Sequence, residues 1–573
     1  MKYAVTGRQM KAIDQDTIQR IGIPSVVLME RAALAVADAA EALAAGRYEK
    51  QEETPYPGNG RGRKEGRRQR SFSGRRPVKI VAVCGTGNNG ADGIAAGRIL
   101  WGRGYEVSLV LAGNPEHGTE EYRLQRRIAK ELGILTKPAA ELRLEGGEII
   151  LDALFGIGLG RNVEGEYRCL IERLAQQENV DVVAVDIPSG IHADTGAVMG
   201  TALRACVTVT FGYVKSGLLL YPGREYAGRI SVEDIGFSEC SLRRAGWDAA
   251  VPEHEDLRYL PRRPMDSNKG TFGRLLVIAG SAGMCGAAYL SALAAYRTGT
   301  GLVKILTVPE NRAVLQTLLP EAIVEVIRPP EMAALSGTYS GKKEKSGSVD
   351  DRAGMQQPED QEGGQQAEDR ESRQQAEGRE YCQAVRIQCD WADAIVIGPG
   401  LGQRPYVESL VETVLITAKV PVVVDADALN VIAHIPRLEK LLAGRTVITP
   451  HMGEMARLTG RTMKDLKADR LKAAREYAAR IRAVCVLKDS STVTADAEGH
   501  AWINTSGCSA MAKGGSGDVL AGVIGSLLAQ GMERALAAAL GVYLHGLTGE
   551  RAAETQGDEA VLARDLANAL RCV

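Results

Sequence analysis

A glycine-rich turn followed at once by an aspartate is the strongest chemical signal in the sequence. The segment MAKGGSGD ends at Asp518 and leads into a run of Ala and Leu residues that predicts a helix. Backbone N–H groups at such a helix start bind phosphate oxygens, and a carboxylate beside them can take a proton from an attacking hydroxyl. The segment favours phosphoryl-transfer chemistry, whereas the alternative is an aspartate that merely satisfies the helix dipole.

Polar residues in the first half of the chain follow three apolar runs that are far apart in sequence. Because the carboxyl ends of parallel strands line one crevice of an open sheet, these side chains can converge there. Oxygen atoms from Asn, Asp and Ser, without His or Cys, suit a hard cation, although each aspartate alone could be a helix cap. The residues are Asn88, Asn89 and Asp92 after the run 78–84, Asp152 after 148–151, and Asp186 and Ser189 after 182–185.

The elements that position these residues are indicated by short β-branched runs that alternate with longer Ala- and Leu-rich segments. This alternation is typical of βαβ units and predicts an α/β fold with parallel sheets that are buried on both faces. The predicted strands are 78–84, 106–112, 180–186 and 205–212 in the first half, and 274–279, 301–308, 394–398, 421–425, 446–449 and 484–487 in the second.

The length of 573 residues predicts two or more domains, because one hydrophobic core does not serve so long a chain. We expect one domain over 1–240, a linker over 241–264 and a second domain over 265–573. Two stretches nearly lack aliphatic residues and are predicted to be disordered insertions. They are the basic segment 48–77, for which a nucleic-acid tether is the less favoured alternative, and the polar segment 335–380.

The overall composition excludes several classes of protein. The 70 basic residues nearly cancel the 71 acidic ones, so no global field draws the chain to nucleic acid or to a membrane surface. No apolar run reaches the ~18 residues of a membrane span, and we expect a cytoplasmic protein. The ten cysteines are scattered singly without a C-x-x-C pair, which suggests neither a zinc site nor a disulfide framework.

Three motifs of the first half resemble the NAD(P)H-hydrate epimerase domain over about residues 1–240, outside the basic insertion. They are GTGNNGADG (85–93), DALFGIGLGR (152–161) and VDIPSGIHADTG (185–196). The resemblance implies a Rossmann-like fold, epimerisation of R- and S-NAD(P)HX, and a potassium ion at Asn89, Asp152 and Ser189. It also implies that hydrated coenzyme contacts Asn88, Asn89, Gly90, Ala91, Asp92, Gly156, Ile157, Gly158, Leu159, Gly160, Arg161, Asn162 and Asp186.

Asp186 is the candidate acid/base of this half, because reversing the configuration at the hydrated ring carbon needs a positioned proton carrier. For Asp152 a structural role at the metal is the alternative. Ala91 departs from the glycine frequent in the family, and its methyl group is expected to crowd the pyrophosphate if the backbone passes against it.

The motifs of the second half resemble the ADP-dependent NAD(P)H-hydrate dehydratase domain, of ribokinase-like fold, over about residues 265–570 apart from the polar insertion. Besides the turn before Asp518, they are KGTFGR (269–274), AGSAGMCGAA (279–288), IGPGLG (397–402), VDADALN (424–430), TPHMGE (449–454) and LKDSST (487–492). The resemblance implies that hydrated coenzyme contacts Ala287, Gly402, His451 and Asp518. It implies that ADP or AMP contacts Lys488, Asp489, Ser490, Ser491, Thr492, Gly514, Gly515, Ser516 and Gly517.

The implied reaction of the second half is ADP-dependent dehydration of S-NAD(P)HX to NAD(P)H, with release of AMP and phosphate and with magnesium as cofactor. Asp518 is then the catalytic base, and His451 as the cap of a turn is an alternative to a ligand contact. A ribokinase-like small-molecule kinase is a rival interpretation of this half, and a nucleotide-binding or scaffolding module is a rival for the first. We expect NADHX, NADPHX and ADP as the small-molecule partners and a homo-oligomer as the assembly.

Overall fold

The computed structural model describes residues 1–46, 78–329 and 378–572. The predicted basic insertion, 48–77, lies outside the described residues, as does the predicted polar insertion apart from residues 378–380. Those three residues are helical and are continuous with a helix that extends to residue 391. The described part of this helix therefore includes the last three residues of the stretch that the sequence predicts to be disordered.

The first half of the chain contains short strands and helices in alternation. Its strands are β1 (Lys2–Val5), β2 (Lys79–Cys84), β3 (Glu106–Leu111), β4 (Leu135–Pro138), β5 (Ile149–Ala153), β6 (Asp181–Val185), β7 (Val207–Phe211), β8 (Val214–Lys215), β9 (Arg229–Glu233) and β10 (Ala249–Val251). Its helices are α1 (Gly7–Gln15), α2 (Ser25–Ala44), α3 (Asn88–Gly102), α4 (Glu120–Glu131), α5 (Gly165–Ala175), α6 (Ser216–Leu219), α7 (Gly223–Ala227) and α8 (Glu239–Ala245).

The second half repeats this alternation with longer helices. Its strands are β11 (Arg274–Ile278), β12 (Leu302–Thr307), β13 (Ile323–Val326), β14 (Ala394–Ile397), β15 (Val422–Val424), β16 (Thr446–Ile448), β17 (Val484–Leu487), β18 (Val493–Ala495) and β19 (Ala501–Ile503). Its helices are α9 (Cys285–Thr298), α10 (Arg312–Leu318), α11 (378–391), α12 (Pro405–Thr417), α13 (Asp427–His434), α14 (Met452–Thr459), α15 (Met463–Ala468), α16 (Arg470–Ile481), α17 (Ser516–Ala529), α18 (Arg534–Gln556) and α19 (Ala563–Ala569).

The first sheet is parallel throughout and has the strand order β4-β3-β2-β5-β6-β7-β9. Helices α2 and α3 pack on one face through small and aliphatic residues such as Ala33, Ala37 and Ala95. The central strands are buried along their length because helices cover both faces, as the continuous apolar runs predict. Strands β2, β5 and β6 are neighbours, so the loops that follow them meet at one edge.

The second sheet has the strand order β13-β12-β11-β14-β15-β16-β17-β18-β19-β10-β1-β8. Strands β13 to β17 of this order are all parallel, and helices α9 and α17 pack against each other on one face. Beyond β17 the pairing becomes mixed. The last three strands, β10, β1 and β8, come from the first half of the chain, so backbone hydrogen bonds join the two halves.

The observed sheets confirm the predicted α/β class, with a Rossmann-like parallel sheet first and a ribokinase-like α/β unit second. Each strand predicted from an apolar run is present, with ends that differ by at most two residues. The segment 241–264, expected to be a linker, contains the buried strand β10 and is thus part of the second sheet. Strands β1, β8 and β10 are only two to four residues long, and their sequence carries no period from which a strand could be predicted.

Candidate functional sites at the carboxyl ends of the two sheets

Asp152 and Ser189 are in direct contact at the edge of the first sheet. The backbone N–H of Ser189 donates to Asp152 Oδ2 at 2.8 Å, and the Ser189 hydroxyl accepts from the N–H of Phe155 at 3.1 Å. Asp152 Oδ1 is buried without a hydrogen-bond partner among the described residues. Burial raises the pKa of Asp152 to about 6, although the hydrogen bonds from Ser189 oppose the rise.

Asn89 lies beside this pair, in the first turn of α3. Its amide nitrogen is also buried without a partner in the described part of the chain, and a Cβ atom at Gly156 would lie 3.2 Å from its oxygen. Of these two unpartnered atoms only the Asp152 oxygen can ligate a cation, because the amide nitrogen is a hydrogen-bond donor; Asn89 would ligate through its amide oxygen. A buried carboxylate oxygen that lacks a donor is the environment a cation would complete, so the residues fit the implied potassium ion.

Asp186 follows β6 and is held by a lysine that the sequence interpretation overlooked. Its Oδ1 accepts from Lys215 Nζ at 2.6 Å, from Thr210 Oγ1 at 3.0 Å and from the N–H of Phe211 at 3.3 Å. The side chain of Asp186 is almost fully buried, and its backbone has a positive φ of 66°. Because the three hydrogen bonds all go to Oδ1, Oδ2 is the carboxylate oxygen left for a substrate.

Lys215 is fully buried, which is rare for a lysine unless it is paired. Besides Asp186, its ammonium donates to the hydroxyl of Thr210 and to the carbonyl of Phe211, both at 3.0 Å. All three ammonium hydrogens therefore have acceptors. One sequence signal could have revealed Lys215. It is the single charged residue inside the apolar run that contains Val214 and residues 218–220.

Asp92 lies near Asp186, so the carboxylates from separate strand ends do converge. Burial, with the nearby carboxylates of Asp186, Asp14 and Glu121, raises the pKa of Asp92 well above its ordinary value. Two acids in one crevice with different partners are the usual basis for separate acid and base roles. The methyl group of Ala91, in contrast, is fully buried in the core beneath α3, and it therefore does not crowd a ligand.

The remaining predicted residues of the first site form its rim. Gly90 lies against the backbone of Gly85, since a Cβ atom there would come within 1.8 Å of the Gly85 carbonyl oxygen. Asn88 is exposed at the start of α3, and the loop 156–162 is half-buried to exposed beside Asn89. A helix start and a glycine-rich loop thus face the same opening, which suits a phosphate-bearing ligand.

The second site is centred on an ion pair between Lys488, after β17, and Asp425, after β15. Lys488 Nζ donates to Asp425 Oδ1 at 2.7 Å, and the hydroxyl of Thr449 donates to the same oxygen at 2.7 Å. Burial alone would lower the pKa of Lys488, but the carboxylates of Asp425, Glu454 and Asp518 outweigh it, and the pKa is raised. Lys488 therefore stays a cation inside the site.

The glycine turn places its helix start beside this cation. Gly515 has a φ of 93°, a conformation that favours glycine, and a Cβ atom at Gly517 would lie 3.4 Å from Lys488 Nζ. Asp518 lies in the first turn of α17. Burial and the carboxylates of Asp425 and Asp427 raise the pKa of Asp518 to about 7, whereas Lys488 counters the rise. A carboxylate with such a pKa can accept a proton near neutral pH.

Only part of the predicted nucleotide loop is open to a ligand. Ser490 is exposed, and Thr492 is half-buried. Asp489 Oδ2 accepts from Arg470 Nε at 2.6 Å, and Ser491 is buried with its hydroxyl donating to a backbone carbonyl. The side chains of Asp489 and Ser491 are thus occupied by the protein and fix the shape of the loop.

Of the residues predicted to contact hydrated coenzyme in the second site, Ala287 and Gly402 lie on one wall. A Cβ atom at Gly400 would come within 2.8 Å of the Ala287 side chain, and the N–H of Gly402 donates to Asp427 Oδ2 at 2.8 Å. These contacts build one wall from α9 and the loop after β14. Asp425 and Asp427 belong to the motif VDADALN, but neither is among the contacts that the resemblance implies.

His451 pairs through its backbone with Lys488 and caps α14, as its alternative interpretation proposed. Its Nδ1 accepts from the N–H groups of Gly453 at 2.9 Å and Glu454 at 3.3 Å. Burial, with the charges of Lys488 and Arg457 nearby, lowers the pKa of His451, so a neutral ring is favoured. The side chain is 54% exposed, so capping leaves the ring able to contact a ligand.

Within residues 1–46, 78–329 and 378–572, no group of three or more His, Cys, Asp or Glu side chains is arranged to hold a metal ion. A magnesium ion does not need such a group, because it is commonly held by one or two carboxylates and by substrate phosphates. Asp427, close enough to Asp518 to raise its pKa, fits that limited role. No helix in the described ranges is both long and apolar enough to span a bilayer.

Comparisons with known proteins match both halves. The family model described as "YjeF-related protein N-terminus" matches residues 25–217, and the model described as "NAD(P)H-hydrate dehydratase" matches 275–346 and 366–571. The bifunctional NAD(P)H-hydrate repair enzyme Nnr of Moorella thermoacetica is 34% identical over 98% of this chain and 95% of its own length. The protein of the same name from Escherichia coli is also 34% identical, over 86% of this chain and 84% of its own.

Among solved structures, the ADP/ATP-dependent NAD(P)H-hydrate dehydratase of Bacillus subtilis, co-crystallised with ATP and Mg²⁺, is 30% identical. It covers 57% of this chain and 97% of its own length, with a TM-score of 0.42.

Proposed function

Because the chain belongs to the family of bifunctional NAD(P)H-hydrate repair enzymes, we propose that it epimerises R- and S-NAD(P)HX and dehydrates the S form. The first half carries out epimerisation, and the second uses ADP to restore NAD(P)H, with release of AMP and phosphate. The observation that carries the proposal is the presence of two separate polar clusters, each at the carboxyl edge of its own sheet. A small-molecule kinase would need only the second cluster.

In the second site we assign Asp518 as the base of a phosphoryl transfer. Asp518 takes the proton of the ring hydroxyl while the hydroxyl oxygen bonds to the terminal phosphorus of ADP, and AMP leaves. The N–H groups of residues 514–517 and the Lys488 ammonium stabilise the charge on the transferred group. The phosphorylated ring then loses phosphate and a proton from the adjacent carbon, which restores the double bond of the dihydropyridine.

The assigned nucleotide contacts are the loop 488–492 and the glycine turn, and the coenzyme contacts are Ala287, Gly402 and His451. The polar groups of the loop and the turn are positioned before any ligand binds, since Asp489, Ser491 and Gly515 are fixed by the protein. A magnesium ion, held by Asp427 and by phosphate oxygens, would neutralise part of the phosphate charge.

In the first site we assign Asp186 as the proton carrier and the loop 156–162, with residues 88–92, as the coenzyme contacts. Lys215 positions Asp186 by fixing Oδ1, so that Oδ2 is presented to the hydrated ring. Asn89, Asp152 and Ser189 would hold potassium, which supplies a fixed positive charge near the bound coenzyme. The functional halves are proposed to be 1–240 and 265–573, and a cytoplasmic homo-oligomer remains a prediction from the sequence.

The proposed function is tested with the purified full chain, a mixture of both epimers of hydrated NADH, magnesium and either ADP or ATP. The near-ultraviolet absorbance of reduced nicotinamide reports recovery. We expect complete recovery with ADP, since epimerisation feeds the remaining R form to the dehydratase. Recovery of the S fraction alone would show that the first half is inactive, and no recovery with either nucleotide would favour the kinase interpretation.

The thermal stability of the Asp152→Asn variant should not depend on potassium. Because burial raises the pKa of Asp152 from 3.8 to about 6, its ionisation lowers the stability of the cation-free fold progressively between about pH 4 and pH 6, by about 3 kcal/mol in full above pH 6. At neutral pH in choline chloride we therefore expect the variant to unfold at a temperature no lower than that of the wild type. In potassium chloride the wild type alone should gain thermal stability. An equal gain in both proteins would place the cation elsewhere.

The acid side of the dehydration pH profile should report Asp518. Because the base must be ionised, kcat/KM is expected to fall about tenfold per pH unit below about pH 7. In Asp425→Asn a neighbouring negative charge is lost, so the midpoint should move to lower pH even where the plateau rate falls. Steady-state rates of dehydration of the S epimer across a range of pH give the midpoint for the wild type and for Asp425→Asn. A midpoint that stays unchanged in Asp425→Asn would exclude Asp518 as the titrating group.

A further inference from the structure

One segment of the first half, residues 214–224, lies between the two proposed sites, and we call it the strap. At its start, the fully buried Lys215 donates to Asp186 Oδ1 at 2.6 Å. Val214 and Lys215 also form β8, which pairs with β1 at the edge of the second sheet. The residue that holds the proposed proton carrier of the first site is thus built into the sheet of the second.

Farther along, the strap contacts the proposed nucleotide loop. The hydroxyl of Ser491 donates to the carbonyl oxygen of Leu219 at 2.7 Å. Arg470 makes a second link, because its Nε donates to Asp489 Oδ2 at 2.6 Å and its Nη1 donates to the carbonyl oxygen of Tyr221 at 2.7 Å. Ser491 and Arg470 are both buried. Two residues of the nucleotide loop are therefore tied to the backbone of the strap.

Backbone packing keeps the strap rigid between these ends. The N–H of Gly217 donates to the carbonyl of Ala193 at 2.7 Å, and a Cβ atom at Gly217 would come within 2.3 Å of the His192 carbonyl oxygen. Gly223 lies equally close to the carbonyl oxygen of Gly217. Residues 218–220 belong to the same apolar core as the strands of the second half. A segment packed so closely transmits a displacement from one end to the other.

We propose that the strap couples the two sites, so that a nucleotide bound at the loop 488–492 increases the rate of epimerisation at Asp186. The inference rests on the proposed function of both sites and adds an energetic link between them. A nucleotide that shifts the loop also shifts the strap, because Ser491 and Arg470 join the two, and the rigid strap carries the shift to Lys215 and so to the carboxylate of Asp186. Arg470 is a positioning residue in this link, since it holds loop and strap together.

The coupling is tested in the full chain carrying Asp518→Asn, in which dehydration is expected to be slow enough for both epimers to persist. Exchange between the epimers is followed by chromatography with and without saturating AMP. We expect AMP to raise kcat/KM for epimerisation at least about 5-fold. Adding Arg470→Met should abolish most of that increase and weaken AMP binding, while the rate without AMP stays near its original value.

Arg480→Met is the matched control, because Arg480 lies on the same helix, α16, and pairs with Glu439 inside the second half. This variant should keep the effect of AMP. Lys488→Met distinguishes a failure of the proposed nucleotide site from a failure of the proposed coupling. If Lys488→Met leaves AMP affinity unchanged, the proposed nucleotide loop is wrong. If it weakens AMP binding but AMP does not alter epimerisation in the parent, the coupling is wrong and the proposed function stands. If Arg470→Met does not fold, the rate of epimerisation by the Asp518→Asn chain with and without AMP still decides whether the two sites are coupled.

Discussion

Asp518→Asn is expected to reduce ADP-dependent dehydration by about 10²–10⁴-fold and to leave epimerisation at its wild-type rate. The amide cannot accept the proton of the ring hydroxyl, whereas the glycine turn and Lys488 still bind the nucleotide. The loss should therefore appear in kcat, with little change in KM for ADP. Dehydration is measured by the recovery of reduced nicotinamide from the S epimer, and epimerisation by the exchange between the two epimers.

Asp465→Asn is the matched control for this prediction. Asp465 also lies in the first turn of a helix of the second half, α15, and it accepts from the cap residue Thr462. An aspartate that only complements a helix dipole contributes about 0.3–1 kcal/mol to stability and nothing to the reaction. We expect the control to keep both activities. A similar loss of dehydration and epimerisation in Asp518→Asn would contradict the assignment of separate sites.

The parts of the second site that were predictable are those whose sequence signal is local. The glycine turn before Asp518 and the strands β14 to β17 are predicted from neighbouring residues, because backbone conformation and burial act over a few positions. The ion pair between Asp425 and Lys488 joins residues 63 positions apart. It exists because β15 and β17 are close in the sheet, and strand order is a property of the whole fold.

In the first site, too, contacts between residues far apart in sequence could not be predicted. Asp152 and Asp186 were predictable because each directly follows a short apolar run that predicts a buried strand. Lys215 was not, because it lies on the two-residue strand β8, which pairs with the first strand of the chain at the edge of the second sheet. Such a short strand has no period of its own, and tertiary contacts alone determine it. For the same reason the sequence does not predict that strands of the first half join the second sheet, and it does not predict the strap.

Lys215→Met is expected to lower the free energy of unfolding by about 3–5 kcal/mol, because it leaves the carboxylate of Asp186 buried without its cation. Epimerisation should also be lost, since Asp186 Oδ1 is no longer held and Oδ2 is no longer aimed at the ring. Denaturant titration measures the stability, and exchange between the epimers measures the activity. Lys79→Met is the control, because Lys79 lies on β2 in a solvent-exposed ion pair with Glu145, and the loss of such a pair is expected to change stability little.

The double variant Lys215→Met with Asp186→Asn distinguishes the stabilising role of the pair from its role in the reaction. Removing both charges eliminates the unpaired buried carboxylate, so most of the lost stability should return. Activity should not return, because a side-chain amide acts neither as an acid nor as a base toward the hydrated ring. If stability and epimerisation recovered together, Asp186 would not be the proton carrier, and the half-buried Asp92 would be the next candidate. If neither recovered, Lys215 would contribute mainly through Thr210 and the carbonyl of Phe211.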